Sequence, residues 1–183
     1  MLDKRLYQGL SKRCWLQELC NRYGDFRVAI AYKKDGDICW SKHKTVLECW
    51  HSEEGLKFLD KVTNRGAMPA EVRIDIDPLE SETPVEIKAR FDRVCDRIEA
   101  RDSKGAYSGW FSGSKGYHIH MLFPKLIQIP YQKNLYKEAL IDICKGEALK
   151  VSDHSMLTLE WAPNNKTGNP KIPIRGEFNW LRI

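Results

Sequence analysis

The stretch from residue 72 to residue 77, Val-Arg-Ile-Asp-Ile-Asp, alternates strictly between apolar and polar side chains. A period of two predicts a β-strand with one face in the core and one polar face. Asp75 and Asp77 then point to the same side of the strand, with Cβ atoms about 7 Å apart. At that spacing both carboxylates can bind one hard divalent cation. This strand therefore predicts a sheet that carries an acidic site.

The elements after this strand predict an α+β fold. The segment Thr83-Pro84-Val85-Glu86 is a capping box, and apolar residues at spacings of four, three and four predict a helix from there to about residue 100. Three more strands and a second helix are predicted from the same kinds of period: strands at 107–111, 117–123 and 157–161, and a helix at 131–145. The element order is β-α-β-β-α-β, the split βαβ arrangement of RRM-like sheets.

That topology predicts where polar side chains meet. The third strand is expected between the first and the second, and the fourth beside the free edge of the first. Both helices would cover one face of the sheet and leave the other face open. On this open face we expect Asp75 and Asp77 to lie between two histidines, His118 and His120, and a third carboxylate, Glu160. Three carboxylates so close together repel one another strongly unless a cation lies between them.

The first third of the chain is predicted to be a separate element of the same domain. Residues 1–66 are expected to form a small N-terminal α/β module, packed on an RRM-like module at residues 67–183 to give one compact domain. Turn residues at 34–37 predict a hairpin there. A helix that ends near Gly24 is predicted from four leucines: Leu6, Leu10, Leu16 and Leu19.

Composition limits the cellular setting. The formal net charge of +5 fits a nucleic-acid partner only if the charge is clustered. No stretch approaches the ~20 apolar residues that cross a bilayer, and no secretory signal precedes the first helix. We therefore expect a cytoplasmic protein, without membrane association and with free cysteine thiols. No structural zinc is expected, because four candidate ligands have spacings unlike those of zinc sites: Cys39, His43, Cys49 and His51.

The segment Ser112-Gly113-Ser114-Lys115-Gly116-Tyr117-His118 predicts a phosphate-binding turn beside the carboxylates. Its two glycines allow a tight turn, which would leave backbone amides open to an anion. Lys115 adds a positive charge, Ser112 a hydroxyl donor and His118 an imidazole. These groups suit the phosphates of a nucleotide.

Two segments resemble motifs of one known family. Residues 73–78 and residues 110–120 are similar to the first two motifs of the archaeo-eukaryotic primase superfamily. The likeness is to the polymerase domains of bacterial end-joining ligases and to plasmid or CRISPR-associated primase–polymerases. The pair Leu159-Glu160 resembles the third motif, with Glu in place of Asp, and Lys171 to Arg175 follow at a similar spacing.

The resemblance implies template-directed addition of nucleotides to a growing strand. Its expected partners are a single-stranded DNA template, a primer strand and (d)NTPs, with accessory replication or repair proteins. Two Mg²⁺ or Mn²⁺ ions would be held by Asp75, Asp77 and Glu160, with Asp153 as the alternative third ligand. The incoming triphosphate would bind Ser112, Lys115 and His118, and Arg175 would join them or hold template phosphate. Both de novo priming and primer extension fit this family.

Two other functions fit parts of the sequence. His118 and His120 resemble the metal-binding histidine pair of HUH replication endonucleases, with Tyr131 or Tyr136 as the nucleophile, although the lysine of that motif is missing. A non-catalytic RRM-type module would instead stack bases on aromatic side chains of the open sheet face. A covalent protein–DNA adduct, or nucleic-acid binding that resists chelators, would distinguish these two functions.

Overall fold

The computed structural model describes residues 11–101, 106–123 and 130–176. Within these ranges the helices are α1 (Lys12–Tyr23), α2 (Val46–Trp50), α3 (Glu53–Lys61), α4 (Pro84–Arg101) and α5 (Pro130–Ile143). The first strands are β1 (Arg27–Ala29), β2 (Ala31–Lys34), β3 (Asp37–Trp40), β4 (Lys44–Thr45) and β5 (Asn64–Arg65). The later strands are β6 (Glu71–Ile76), β7 (Ala106–Phe111), β8 (Tyr117–Leu122), β9 (Lys150–Ser152), β10 (Leu157–Thr158) and β11 (Ile172–Gly176).

The predicted helices at 84–100 and 131–145 are confirmed as α4 and α5, and the first helix ends at Tyr23 as predicted. Leu6 and Leu10, which contributed to the prediction of that first helix, lie outside the described residues. Ser11 caps α1, since its hydroxyl accepts a hydrogen bond from the Cys14 amide.

The central sheet has five strands in the order β11-β7-β8-β6-β9, all paired antiparallel. A second sheet has the order β10-β5-β1-β4, and β2 and β3 form a separate hairpin. The structure is thus mixed α and β with antiparallel sheets, in agreement with the predicted α+β class. The predicted position of the third strand between the first and second is also confirmed, because β8 pairs with both β6 and β7.

The prediction for the fourth strand is wrong. The free edge of β6 pairs with Lys150–Ser152, whereas residues 157–158 pair with β5 of the second sheet. The cause is a turn after β9, where the Ser152 hydroxyl accepts hydrogen bonds from the amides of His154 and Ser155, both at 3.1 Å. This turn directs the chain away from the central sheet before residue 157.

Both faces of the central sheet are covered, so the expectation of an open face is also wrong. Helix α4 packs on the face that carries Ile74 and Ile76, as its apolar period predicts. Trp110 and Leu122 point from the opposite face into a second core. That core combines residues from before and after residue 66, among them Trp15, Leu16, Leu19, Val28, Met68 and Leu159.

The predicted hairpin after residue 30 is confirmed as β2 and β3. Its register pairs Ala31 with Trp40 and Lys33 with Ile38, so these four side chains share one face. Tyr32 lies on the other face. Within the described ranges, no helix has the length and the apolar composition that a bilayer span requires.

Candidate functional site

A cavity of about 420 Å³ lies where β6 ends, beside the turn that joins β7 to β8. The β2–β3 hairpin and the loop at residues 164–166 form its other walls. Five of the residues predicted from the sequence line this cavity together: Asp75, Asp77, Ser112, Lys115 and His118. Glu160 and Arg175 do not line it.

Asp75 is half-buried at the floor of the cavity, and strand register places it opposite His118. Burial, together with the negative charge of the nearby Asp77, raises the pKa of the Asp75 carboxyl to about 6 against the opposing effect of Lys171. Its Oδ1 atom lies 3.5 Å from His118 Nε2 and has no hydrogen-bond partner among the described residues. The ionised form of Asp75 is therefore poorly compensated by the protein itself.

His118 contributes a neutral imidazole to the same cavity. Burial, together with the positive charge of Lys171, lowers the pKa of His118 well below its usual value. Its side chain is only 9% exposed, and its Nδ1 atom has no partner among the described residues. A buried nitrogen and a buried carboxylate oxygen that both lack partners indicate a ligand-binding site. Two adjacent carboxylates, one of them short of donors, fit a divalent cation.

The turn at residues 112–116 is held against the end of β6. The Ser112 amide donates to the Gly116 carbonyl, and a Cβ atom at Gly116 would come within 2.7 Å of the Ile76 carbonyl oxygen. Gly113 has φ of 81°, a conformation that favours glycine. Because the turn packs this closely, Lys115 and the Asp75–Asp77 pair face the same cavity.

One expectation about this turn is corrected by its hydrogen bonds. The amides of Ser114 and Gly116 donate to the Ser112 hydroxyl, at 3.3 and 3.2 Å, and are not open to an anion. A local serine acceptor has satisfied them. The Lys115 side chain of this turn is exposed and lines the cavity, so it is available to an anion.

A polar wall of the cavity escaped the sequence analysis. Asn165 donates to the side chain of Asn64 at 3.1 Å, and Asn164 donates to the Ser112 carbonyl at 3.1 Å. Lys166 and Thr158 complete this wall. The only signal in the sequence was the run of turn residues from Asn164 to Pro170, which predicts a loop but not its position.

The β2–β3 hairpin supplies an apolar wall through Ile38 and Trp40. The Trp40 side chain is 43% exposed, although tryptophan is usually well buried. Sequence analysis predicted the hairpin but assigned it no role.

Glu160 lies outside the cavity, which corrects its predicted position. It is fully buried, and Arg65 donates to its two carboxylate oxygens at 2.9 and 2.7 Å. Burial alone would raise the pKa of Glu160, but the positive charges of Arg65 and Lys171 lower it well below the usual range. The cause is the pairing of β10 with β5, which places residue 160 over Arg65 rather than beside Asp75.

Six fully buried ionisable residues form what we call the buried charge cluster: Arg65, Glu71, Arg73, His120, Glu160 and Lys171. Glu71 accepts hydrogen bonds from Arg65 at 2.6 and 3.0 Å and from Arg73 at 3.2 Å. Burial and the charge of Lys171 lower the pKa of His120 to about 3, so its ring is neutral. His120 Nδ1 lies 2.6 Å from Glu71, and Nε2 lies 2.9 Å from the Lys171 ammonium.

Ligating atoms of Glu71, His120 and Glu160 lie within 4.8 Å of one another, which is close enough for a metal ion. The carboxylate oxygens already accept hydrogen bonds from Arg65, and Lys171 occupies the remaining histidine nitrogen. Guanidinium and ammonium groups thus provide the positive charge that an ion would bring. We interpret this triad as part of an ion-pair network.

Two further predicted residues lie away from the cavity. Arg175 donates to Asp96 at 2.6 Å and to Glu99 at 2.6 and 3.0 Å, on the face that α4 covers. A β-bulge between Pro173 and Arg175 shifts the register there. Asp153, the alternative third ligand, pairs with Lys137 at 2.9 Å and lines a different cavity.

The structure gives no support to the two other functions. Both nitrogens of His120 are engaged within the buried charge cluster, so His118 and His120 do not present an available metal-binding pair. The Tyr136 ring packs against Phe123, whereas Tyr131 is exposed. Base stacking on the sheet is prevented because Trp110 is fully buried.

No family model matches this chain, and no curated protein matches it. Among solved structures it is similar to the polymerase domain of ligase D from Mycobacterium tuberculosis, in complex with DNA. The TM-score is 0.49 and the sequence identity 13%, over 94% of this chain and 84% of that chain.

Proposed function

We propose that the protein is a divalent-metal-dependent nucleotidyltransferase that adds nucleotides from nucleoside triphosphates to a DNA strand. One observation carries the proposal. Asp75 and Asp77 line the same cavity as Lys115 of the turn at residues 112–116, and the Asp75 Oδ1 atom has no hydrogen-bond partner among the described residues. Such a cavity offers anionic ligands for a cation and a cationic side chain for phosphate at the same place.

The acidic side of the cavity would hold a Mg²⁺ or Mn²⁺ ion through Asp75 and Asp77. A bound ion supplies positive charge to the phosphates of the substrate and to the leaving group. Asp75 is pre-positioned for this role by strand register, and the backbone at Asp77 is fixed because Arg90 donates to its carbonyl at 2.6 Å. Preorganised ligands lower the cost of binding, since little order is lost.

The opposite side of the cavity would bind the triphosphate. Lys115 and Lys166 contribute ammonium groups, and the Ser112 hydroxyl remains able to donate while it accepts from two amides. The neutral His118 ring can donate one hydrogen bond to a phosphate oxygen without repelling the cation. Charge that develops as the phosphoanhydride bond breaks would be stabilised by these donors.

The remaining walls suit the nucleoside. Trp40 and Ile38 form an apolar surface on which a nucleobase can stack, and the Asn64–Asn165 pair offers amide groups for hydrogen bonds to a base or sugar. The cavity volume of about 420 Å³ lies within the usual range of small-molecule sites. A nucleotide accounts for all the walls better than inorganic phosphate does.

Transfer to a DNA strand, rather than another reaction of a triphosphate, is supported by the sequence. Residues 73–78 and 110–120, which resemble primase-superfamily motifs, supply the acidic pair and the Lys115 turn of the cavity. A template and a primer are the partners that this proposal requires. In the strand-extension reaction the 3′-oxygen would form a bond to the α-phosphorus and lose its proton to water. The bond between the α-phosphorus and the oxygen that bridges to the β-phosphorus would break, and pyrophosphate would leave.

The test is incubation with labelled dNTPs or NTPs, Mn²⁺ and a template, with and without a primer. We expect extended products from the wild-type chain and none above background from the Asp75→Ala, Asp77→Ala double variant. Asp153→Ala serves as the control, because Asp153 is also acidic but does not line the cavity. Unchanged synthesis by the double variant would refute the proposal. Products formed without primer would identify priming.

A further inference from the structure

The number of carboxylates in the cavity limits how many cations it can hold. Among the described residues that line it, the only carboxylates are Asp75 and Asp77. The primase resemblance implies three carboxylates around two ions, so one ligand of that arrangement is not present in the cavity.

Neither acid that could serve as the third ligand is available. Both oxygens of Glu160 accept hydrogen bonds from Arg65, and its side chain is fully buried. Moving Glu160 into the cavity would break its buried ion pair with Arg65, which is strongly unfavourable because it leaves a buried charge uncompensated. Asp153 is held by Lys137 and Lys133, at 2.9 and 3.9 Å, and faces a different cavity.

The position beside Asp75 that was predicted for a carboxylate carries a lysine. Strand β9 takes the place of the predicted fourth strand, and its register pairs Lys150 with Asp75. On the other side Asp75 pairs with His118, so neither neighbouring strand places a carboxylate opposite Asp75. The Lys150 ammonium thus adds positive charge on the side of Asp75 where a second metal ion would need an anion.

The charge of the cavity also fits one divalent cation better than two. Two divalent cations in a catalytic pair lie about 3.5–4 Å apart and repel each other, so they need several shared anionic ligands. Asp75 and Asp77 together carry two negative charges, which balance one divalent cation. A single Mg²⁺ commonly binds one or two carboxylates and completes its shell with substrate phosphates and water.

We propose that this cavity binds one divalent cation, held by Asp75 and Asp77 and completed by triphosphate oxygens, rather than a pair of cations. The inference rests on the proposed function, since the triphosphate supplies the remaining ligands. The buried ring of His118, whose Nδ1 lacks a partner, faces the same space and provides an independent sign that the cavity binds a ligand.

Equilibrium dialysis of the full chain against Mn²⁺ and a non-hydrolysable triphosphate analogue counts the bound ions. The analogue is present at equal free concentration on both sides, so the excess Mn²⁺ reports protein-bound ions only. We expect one Mn²⁺ per chain at saturation, with the electron paramagnetic resonance spectrum of an isolated ion. Two Mn²⁺ per chain with an exchange-coupled spectrum would overturn the inference and leave the proposed function standing.

Two variants assign the ligands. Asp75→Asn is expected to lower Mn²⁺ affinity at least tenfold, while folded Glu160→Gln should retain one Mn²⁺ with affinity within about twofold of the wild type. Loss of Mn²⁺ by a folded Glu160→Gln chain would show that Glu160 is a ligand and would overturn the inference. If that variant does not fold, the wild-type count decides alone. Failure of the wild-type chain to bind either Mn²⁺ or the analogue would instead contradict the proposed function.

Discussion

The buried charge cluster and the cavity share one face of one strand but differ in how their carboxylates are satisfied. Glu71 and Asp75 are four residues apart on β6, and both point away from α4. Glu71 accepts hydrogen bonds from two arginines, from His120 and from the Met68 amide. Asp75 has an oxygen that lacks any partner within the described ranges.

This difference distinguishes a structural acid from a functional one better than residue type does. Both carboxylates of the buried cluster accept hydrogen bonds from cationic side chains of the chain itself, so neither needs a ligand from solution. The cavity leaves its charge incompletely neutralised, and a ligand from solution can complete it. Three potential metal-ligating residues lie together in the first region, whereas a carboxylate oxygen without a hydrogen-bond partner among the described residues marks the second.

The largest expected effect comes from breaking the buried charge cluster. Arg65→Met would leave Glu71 and Glu160 without their shared guanidinium, and removal of one partner from a buried ion pair costs roughly 3–5 kcal/mol. We expect the free energy of unfolding, measured by urea titration, to fall by about that amount. Arg13→Met is the matched control, because its pair with Asp60 is exposed and should change stability by less than about 1 kcal/mol. Equal stability losses in the two variants would contradict this interpretation of the cluster.

Amide substitutions at the two carboxylates of β6, Asp75 and Glu71, are expected to change the free energy of unfolding in opposite directions. The raised pKa of Asp75 means that the folded chain binds this proton more tightly than the unfolded chain, so stability falls as pH rises from about 4 to about 6. Without divalent cations, Asp75→Asn should therefore have a free energy of unfolding roughly 2–3 kcal/mol higher than that of the wild type above pH 6. Below about pH 4 the two chains should be equally stable. Glu71→Gln should lose stability at neutral pH. Chemical denaturation of both variants across pH 4–8 measures this contrast, and a loss in Asp75→Asn at pH 7 would refute it.

Substitution of Lys115, on the phosphate side of the cavity, is expected to have a smaller effect. It should lower triphosphate affinity without changing stability. Lys115→Ala removes an exposed ammonium, and a hydrogen bond to a charged group is worth roughly 1.5–3 kcal/mol. Triphosphate affinity, measured by calorimetry with Mn²⁺ present, should fall about ten- to hundredfold with no change in the melting temperature. Lys34→Ala provides the comparison, since this exposed lysine lies on the hairpin and does not line the cavity. Equal losses from both lysines would indicate general charge attraction.

The smallest effect concerns the hairpin wall. Trp40→Ala should weaken binding of a nucleotide about five- to thirtyfold, because stacking of a base on an aromatic ring is worth roughly 1–2 kcal/mol. Trp40→Phe should keep most of the affinity. Tyr32→Ala tests the geometry, since Tyr32 is similarly exposed at 47% but lies on the opposite face of the hairpin. A response to Tyr32→Ala as large as that to Trp40→Ala would count against the stacking role.

Local periodicity in the sequence was sufficient to predict α4, β6, β8 and the Asp75–His118 neighbourhood. The strand predicted from the alternation around Asp75 is confirmed as β6, and the capping box is confirmed by reciprocal hydrogen bonds between Thr83 and Glu86. These features depend on residues close in sequence or on a single pair of strands, and for them pattern and packing agree.

The position of Glu160 could not be predicted, because it depends on which of two sheets the chain joins. Lys150–Ser152 and residues 157–161 both lie after α5, and only the short turn at Ser152 assigns the first of them to β6. The partner of Glu160 is Arg65, which is 95 residues away. The periodicity of a short segment cannot predict a contact between residues so far apart in sequence. The contact between Asn64 and Asn165 in the cavity wall was not predicted for the same reason.

The core shared across residue 66 has a consequence for any attempt to isolate a shorter folded module. A shortened chain that starts at residue 67 would keep both proposed metal ligands and Lys115, yet it would lack Arg65 and the apolar side chains that cover Trp110. Glu71 and Glu160 would then be left with uncompensated charge, and a hydrophobic surface would face water. Such a fragment should aggregate rather than fold, so residues 11–66 are an integral part of the fold.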